Sequence, residues 1–236
     1  MKKGKLKVEF FAISEKGVRE KNEDAYLAEK IGKYYVFAVA DGMGGHAYGE
    51  IASKIAIMEL KETIRRFDDE PRNLLKKAFE KANTEILAYS KIVGARMGTT
   101  LVACLLDENG KCTIANVGDS RAYLINDEIW HTKDHSYVQE LADSKIIDEK
   151  EAKKHPMKNI VTKALGVEKR VEPDFYEISL KGILVLCSDG LHDYVDDVVI
   201  ARVVKTHKPK EACKMLVDIA LKRSRDNITV IVVSLD

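Results

Sequence analysis

The chain carries almost no net charge: 39 Lys and Arg stand against 38 Asp and Glu in 236 residues, a formal balance of +1. Nothing in that balance draws it toward nucleic acid or an anionic membrane. Long apolar runs are missing as well. The basic start Met1-Lys2-Lys3-Gly4-Lys5-Leu6-Lys7 lacks the apolar stretch of a secretory leader, and no run reaches bilayer-crossing length, so a cytoplasmic location is expected. Cysteine is scarce, and Cys104, Cys112, Cys187 and Cys213 form no Cys-x-x-Cys pair. They read as reduced packing residues, with a Cys104–Cys112 bridge as the lesser alternative because cytosolic disulfides are rare. No Pro-, Ser- or Gly-rich linker divides the chain, so a single domain over residues 1–236 with a sizeable core is expected.

Against those absences, one stretch stands out. Residues 34–40, Tyr-Tyr-Val-Phe-Ala-Val-Ala, read as a strand buried on both faces, and Asp41-Gly42-Met43-Gly44-Gly45 follows directly. An isolated Asp-Gly is most often a hairpin turn. Here it has counterparts. The apolar run Ile183 to Cys187 ends in Ser188-Asp189-Gly190, Asp226 stands just before the run that starts at Ile228, and Asp119 lies between two strand-like stretches in Gly118-Asp119-Ser120-Arg121. Carboxylates at strand mouths, with no His or Cys cluster beside them, are hard oxygen donors. Such a set suits Mg²⁺ or Mn²⁺ and argues against zinc; unrelated turn aspartates are the bland alternative.

Extended segments are expected at about 5–14, 25–30, 34–40, 99–106, 111–117, 121–125, 175–180, 183–187 and 228–235. Two helical patterns follow the third of them, one with Ile57, Leu60, Ile64 and Phe67 on a face, the other with Leu75, Ala78, Phe79, Ala82 and Ile86 after Pro71. Two more are expected at 196–205 and 209–223. Strands in meanders with helices grouped apart indicate an α+β class.

The local pattern around each acid adds the decisive information. Ser14-Glu15-Lys16-Gly17-Val18-Arg19-Glu20-Lys21-Asn22-Glu23-Asp24, Asp41-Gly42-Met43-Gly44-Gly45-His46, Gly98-Thr99-Thr100, Gly118-Asp119-Ser120-Arg121, Ser188-Asp189-Gly190 and Asp226-Asn227 come in one order. Together they resemble the metal-dependent (type 2C) serine/threonine protein phosphatases, most closely the short bacterial-type form. The resemblance covers nearly the whole chain. It implies a four-layer αββα sandwich, two antiparallel β-sheets flanked by helix pairs. It also implies hydrolysis of phosphoserine and phosphothreonine in proteins by a hydroxide bridging two Mn²⁺ or Mg²⁺ ions.

By the same resemblance, Asp41 bridges the ions, Gly42 offers its carbonyl to one, and Asp189 and Asp226 bind the other. Glu23 and Asp24 hold metal-bound waters from outside, as metal sites generally require. Arg19 grips the substrate phosphate, for which its planar fork suits it better than a lysine would; an exposed surface arginine is the alternative. Asp119, with Asp189, is offered to a third, looser ion, or else is a turn aspartate capping nearby amides.

Two departures from the family pattern bear on mechanism. Animal members place a histidine directly after the Asp-Gly, proposed there to protonate the leaving group, whereas this chain has Met43. His46 is the nearest replacement, although its position favours anchoring the loop at a helix start. Before Asp226, a glycine-rich lead-in is replaced by Lys222-Arg223-Ser224-Arg225, read as solvated surface. Residues 132–173 look like the family's flap, with Lys158 and Lys163 where arginine is frequent. Expected partners are phosphorylated proteins and a kinase acting on the same targets, with the enzyme a monomer. An inactive relative is disfavoured because every expected ligand is present. An aspartyl-phosphate phosphotransferase is disfavoured because Asp41 lacks a second aspartate two positions on.

Overall fold

In the computed structural model, residues 7–44 and 48–235 are described. The elements run β1 (Val8–Glu15), β2 (Asp24–Ile31), β3 (Tyr34–Met43), α1 (Tyr48–Arg66), α2 (Pro71–Val93), β4 (Gly98–Thr99), β5 (Leu101–Leu106) and β6 (Lys111–Val117). Then come β7 (Arg121–Ile125), β8 (Ile129–His131), α3 (Tyr137–Asp143), α4 (Glu149–Lys154), β9 (Asp174–Ser179), β10 (Ile183–Cys187), α5 (Asp189–His192), α6 (Asp197–Thr206), α7 (Pro209–Ala220) and β11 (Ile228–Leu235).

The strands form two sheets, β1-β11-β10-β7-β8 and β2-β3-β5-β6-β9 with β4 beside β3. Every pairing between them is antiparallel. The period-2 alternation of side chains then decides the layering. In β3, Phe37 and Val39 face the first sheet, where they meet Leu184, Leu186, Ile231 and Val233. Val36, Ala38 and Ala40 face the other way, onto α1 and α2. Likewise Val185, Cys187, Val230 and Val232 turn from the first sheet toward α6 and α7. Three apolar layers therefore separate four structural ones, which is the αββα sandwich that the resemblance implied. Strands buried on both faces explain why these runs show no polar alternation.

Helix boundaries have local causes. Pro71 starts α2 and Pro209 starts α7, where the missing N–H is harmless, and Gly94 closes α2 in the left-handed conformation at φ 66°. The expected face of α1 needs correction. Small residues, Ala52, Ser53 and Ala56, carry its buried stripe with Leu60 and Ile64, which lets the helix lie close to β3. Phe67 lies beyond the helix end, 38% exposed, beneath Lys77 and Lys81. The short strand β8 was not anticipated, and Thr100 interrupts the segment expected at 99–106. All four cysteines are buried and free.

Candidate metal centre

Asp41 lies inside a strand, which corrects the expected strand end at residue 40. β3 continues through Gly42 and Met43, which pair with Thr99 and Gly98 of β4. Thr99 and Thr100 make this possible. Thr99 Oγ1 and the Thr100 amide both donate to the Asp41 carbonyl at 2.9 Å, and the Asp41 amide donates to Thr100 Oγ1 at 2.9 Å. With its backbone held from both sides, only the carboxylate is left to face the cavity. Neither threonine was assigned a role from sequence, although Gly98-Thr99-Thr100 was part of the pattern.

Gly42 is required where it stands. A Cβ there would lie 2.1 Å from the Gly49 carbonyl oxygen and 2.7 Å from that of Glu23. The strand thus crosses directly against the start of α1. Gly190 does the same for the second acid, since its Cβ would meet the Asn227 carbonyl oxygen at 1.9 Å. That contact sets the turn from β10 into α5, whose first residue is Asp189, against the loop carrying Asp226.

Asp41, Asp119, Asp189 and Asp226 line one cavity of about 400 Å³, together with Arg19 and Glu23. Four chain segments far apart in sequence meet there because the two sheets end on the same side. Asn227 holds the loops in place, a role that sequence reasoning missed. Its Oδ1 accepts from the Glu23 amide at 2.8 Å, and its Nδ2 donates to the carbonyls of Lys16 and Lys21 at 2.9 and 2.8 Å. The only hint was its place directly after an acid at a strand entry.

Asp24 sits under the cavity, opposite Asp41 in the β2–β3 register. Ser188 Oγ and Thr229 Oγ1 donate to its Oδ2 at 2.8 and 2.6 Å, whereas Oδ1 is buried with no partner. Asp189 Oδ1 is likewise buried and unpartnered. The Glu23 carboxylate accepts from the Gly49 amide at the start of α1, and burial pushes its pKa up.

The electrostatics follow from crowding. Burial, then the charges of Asp24, Asp189 and Asp119, holds the Asp41 carboxyl well above the usual range. Burial, then Asp119 and Asp226, does the same for Asp189. Asp119 is raised to about 7 by burial and Asp134, and Asp24 to about 6 by burial, against the pull of its two hydroxyl donors. Like charges this close cannot all ionise without a compensating cation. All these donors are oxygens, two buried oxygens lack partners, and a glycine brings backbone near, so the set fits a hard divalent cation. Among the described residues no group of three or more Asp, Glu, His or Cys side chains already stands in position to hold an ion. One reason is visible: Arg19 Nη2 donates to Asp226 Oδ2 at 2.8 Å, and Arg19 Nε to the Arg225 carbonyl at 3.0 Å. Burial opposes the guanidinium's charge, but pairing with Asp226 outweighs it and raises its pKa.

The region 132–173 is tied to this centre at its base. Arg121 grips Asp134 with two bonds, of 2.8 and 2.7 Å, and Ser136 and Leu165 bridge to Val161 and Thr99. Ser136 caps α3 by accepting from the Gln139 amide at 3.3 Å, in keeping with a helix starting after Asp134-His135-Ser136. Lys158 donates to Asp193 Oδ2 at 2.5 Å, which ties the segment to the end of α5. His46, the alternative proton donor, lies outside the described residues. Of the basic lead-in to Asp226, Lys222, Arg223 and Arg225 are exposed, as expected, while Ser224 is buried and accepts from the Asp226 amide at 3.2 Å.

Comparison with known proteins agrees with this arrangement. The family model described as "Protein phosphatase 2C" matches residues 15–220. The chain is 37% identical over 233 residues to the serine/threonine phosphatase stp of Listeria innocua, covering 92% of this chain and 91% of that one. It superposes on the crystal structure of the serine/threonine phosphatase Stp1 from Staphylococcus aureus with a TM-score of 0.90 and 38% identity, over 98% of this chain and 95% of that one. A crystal structure of the catalytic domain of the serine/threonine protein phosphatase PstP in complex with two manganese ions gives a TM-score of 0.86 and 33% identity, over 98% and 99% of the two chains. With the family model spanning most of its length and the acids gathered in one cavity, the chain belongs to the protein phosphatase 2C family and is a phosphoprotein phosphatase.

Proposed function

We propose that the protein removes phosphate from phosphoserine and phosphothreonine in other proteins, using two divalent cations, Mn²⁺ or Mg²⁺. The observation that carries this reading is the meeting of Asp41, Asp119, Asp189 and Asp226 with Arg19 around one cavity. Cations held there would neutralise the phosphoryl oxygens and would supply the attacking hydroxide at neutral pH. Asp41, the Gly42 carbonyl, Asp189 and Asp226 would hold them, with Asp119 available to a third.

The remaining residues act around that set. Asp24 and Glu23 hold the cavity floor charged and polar, each anchored by its own donors. Arg19, with its side chain 54% exposed at the rim, presents a planar fork to the phosphoryl oxygens. Met43 has no proton to give, since a thioether is not an acid. The proton for the departing seryl or threonyl oxygen must come from elsewhere, with His46 as the side-chain candidate.

The whole reading takes residues 1–236 as one catalytic unit, with 132–173 a flap over the cavity. Phosphorylated proteins would be its substrates and a kinase with the same targets its counterpart, in the cytoplasm, with the enzyme acting as a monomer. Among the described residues no helix is long and apolar enough to cross a membrane.

Turnover of a phosphothreonine peptide tests the proposal when measured alongside metal content. Activity should need added Mn²⁺ or Mg²⁺ and vanish with chelator, with two ions or more bound per chain. Chelator-resistant turnover, or a phosphoryl group trapped on Asp41, would overturn it.

A further inference from the structure

A second cleft, of about 660 Å³, lies beside the acidic cavity, and Met43 and Gly44 line both. Its character is different. Its sides are apolar, with Met43, Leu87, Met97 and Val167, and no carboxylate lines it. Gly98 forms part of the floor, where a Cβ would lie 3.2 Å from Val167 Cγ2 and 3.5 Å from Met43 Cγ. The two apolar side chains thus flank a strip of bare backbone. Val167 is 62% exposed and so accessible from the cleft.

Two cations also line it. Lys91, in the last turn of α2, and Arg96, in the loop that leads to β4, both line the cleft and are both exposed. Neither makes an ion pair among the described residues. The cleft therefore offers a ligand both apolar walls and positive charge beside the acidic cavity.

We infer that this cleft receives the substrate polypeptide beside its phosphoresidue, taking one apolar side chain between Met43 and Val167 and an acidic residue at Lys91 and Arg96. Two observations support that occupant over others: the cleft adjoins the cavity that would hold the phosphate, with Met43 and Gly44 lining both, and its free charges are opposite in sign to an acidic segment. The idea rests on the proposed phosphatase reading. It gives Met43 a use that its chemistry allows: a flexible, polarisable side chain adapts to varied apolar partners. It also makes the preference local. A substrate too small to leave the acidic cavity would not sense the cleft.

The test separates the two readings. Turnover of para-nitrophenyl phosphate with Mn²⁺ reports the catalytic centre alone. Phosphothreonine peptides with or without an apolar neighbour and a following Glu pair, on either side of the phosphoresidue, report the cleft. Binding of labelled peptides carrying a non-hydrolysable phosphonate adds a readout independent of turnover.

For the apolar-acidic peptides, Lys91→Glu with Arg96→Glu should raise KM and the phosphonate Kd by about three- to tenfold. Val167→Ser should weaken binding of the apolar peptides by a few-fold, on the order of one partly buried side chain. Para-nitrophenyl phosphate turnover should stay unchanged in all variants. Equal KM for all peptides, or losses that appear equally on the small substrate, would overturn the cleft's role while leaving the phosphatase reading intact. No turnover of any substrate with Mn²⁺ would overturn both.

Discussion

Arg19 Nη2 lies 2.8 Å from Asp226 Oδ2, so a side chain expected on the phosphate and one expected on a cation neutralise each other across the mouth of the cavity. The pair is half open to solvent, at 54% and 30% exposure, so it adds little to stability and can be exchanged for stronger partners. A cation at Asp226 and a phosphoryl group at Arg19 would each replace the contact.

From this relationship comes the first expectation. Arg19→Ala should lower kcat/KM on phosphothreonine peptides by about 10- to 100-fold, the range for losing a charge-assisted contact, with melting temperature nearly unchanged. Arg19→Lys should recover only part, because a point charge replaces a fork. Steady-state kinetics decide it: an Arg19→Ala enzyme within twofold of the parent would leave the residue as ordinary surface.

The acid cluster makes a thermodynamic prediction. With no cation bound, Asp24 is held at about 6 and Asp119 at about 7, against an ordinary value of 3.8. Between those values the folded chain binds more protons than the unfolded chain. Stability without cation must then fall as pH rises from about 4 through 7. Mn²⁺ should reverse the trend, since a cation favours the ionised form. Melting curves from pH 5 to 8, in chelator and in excess Mn²⁺, should diverge as pH rises; parallel curves would count against a cation at these acids.

Much of this centre was legible in the sequence because its acids are tied to strand ends, and buried strands announce themselves as apolar runs. Asp41, Asp119, Asp189 and Asp226 were placed in one site on that ground together with the family resemblance, and the cavity gathers all four. The strand continuing past Asp41 was not legible. It depends on Thr99 and Thr100 meeting the Asp41 backbone from 58 residues or more away, a pairing that no local propensity encodes. Asn227 escaped for the same reason, since three of its partners are carbonyls and amides that any residue type carries. The buried stripe of α1 was misread at Phe67 because small residues carry contacts where backbone approaches closely, and hydrophobicity alone undervalues them.

Asp189→Asn should separate stability from activity. Replacing a buried carboxylate among like charges by a neutral isostere relieves repulsion, so the cation-free protein should melt a few degrees higher at pH 8. Activity should drop to near background at any Mn²⁺ concentration. A variant that loses activity and also melts lower in chelator would mean that Asp189 braces the fold instead.

Asp119 is the acid whose role most needs a direct measurement. If it holds a third ion, Asp119→Ala should reduce bound Mn²⁺ by one per chain and lower turnover while leaving the tighter ions in place. Unchanged metal content and turnover at every Mn²⁺ concentration would return it to a turn aspartate.

The Arg121–Asp134 pair should behave unlike Arg19–Asp226, because it is buried. Its side chains are 13% and 10% exposed, the two bonds are 2.8 and 2.7 Å, and Arg121 Nη1 also donates to Tyr123 Oη at 3.0 Å, which in turn donates to Asp197 at 2.9 Å. Burial alone would raise the Asp134 pKa, yet the guanidinium's bonds and charge bring it below its ordinary value. Removing one partner leaves a carboxylate buried without compensation, so Arg121→Met should cost about 3 to 5 kcal/mol in urea unfolding. Adding Asp134→Leu should restore much of that loss, since it removes the orphan. The depressed carboxyl contributes stability above its unfolded pKa that is lost as pH falls through the folded one, so the parent should lose more stability than the double variant in the acid range. The Asp134 end of this pair lies where residues 132–173, the proposed flap, begin, so the single variant should also raise KM for phosphopeptides while sparing para-nitrophenyl phosphate. A single variant within about 1 kcal/mol of the parent would show that water reaches the pair and that the base of residues 132–173 is held by its backbone bridges alone.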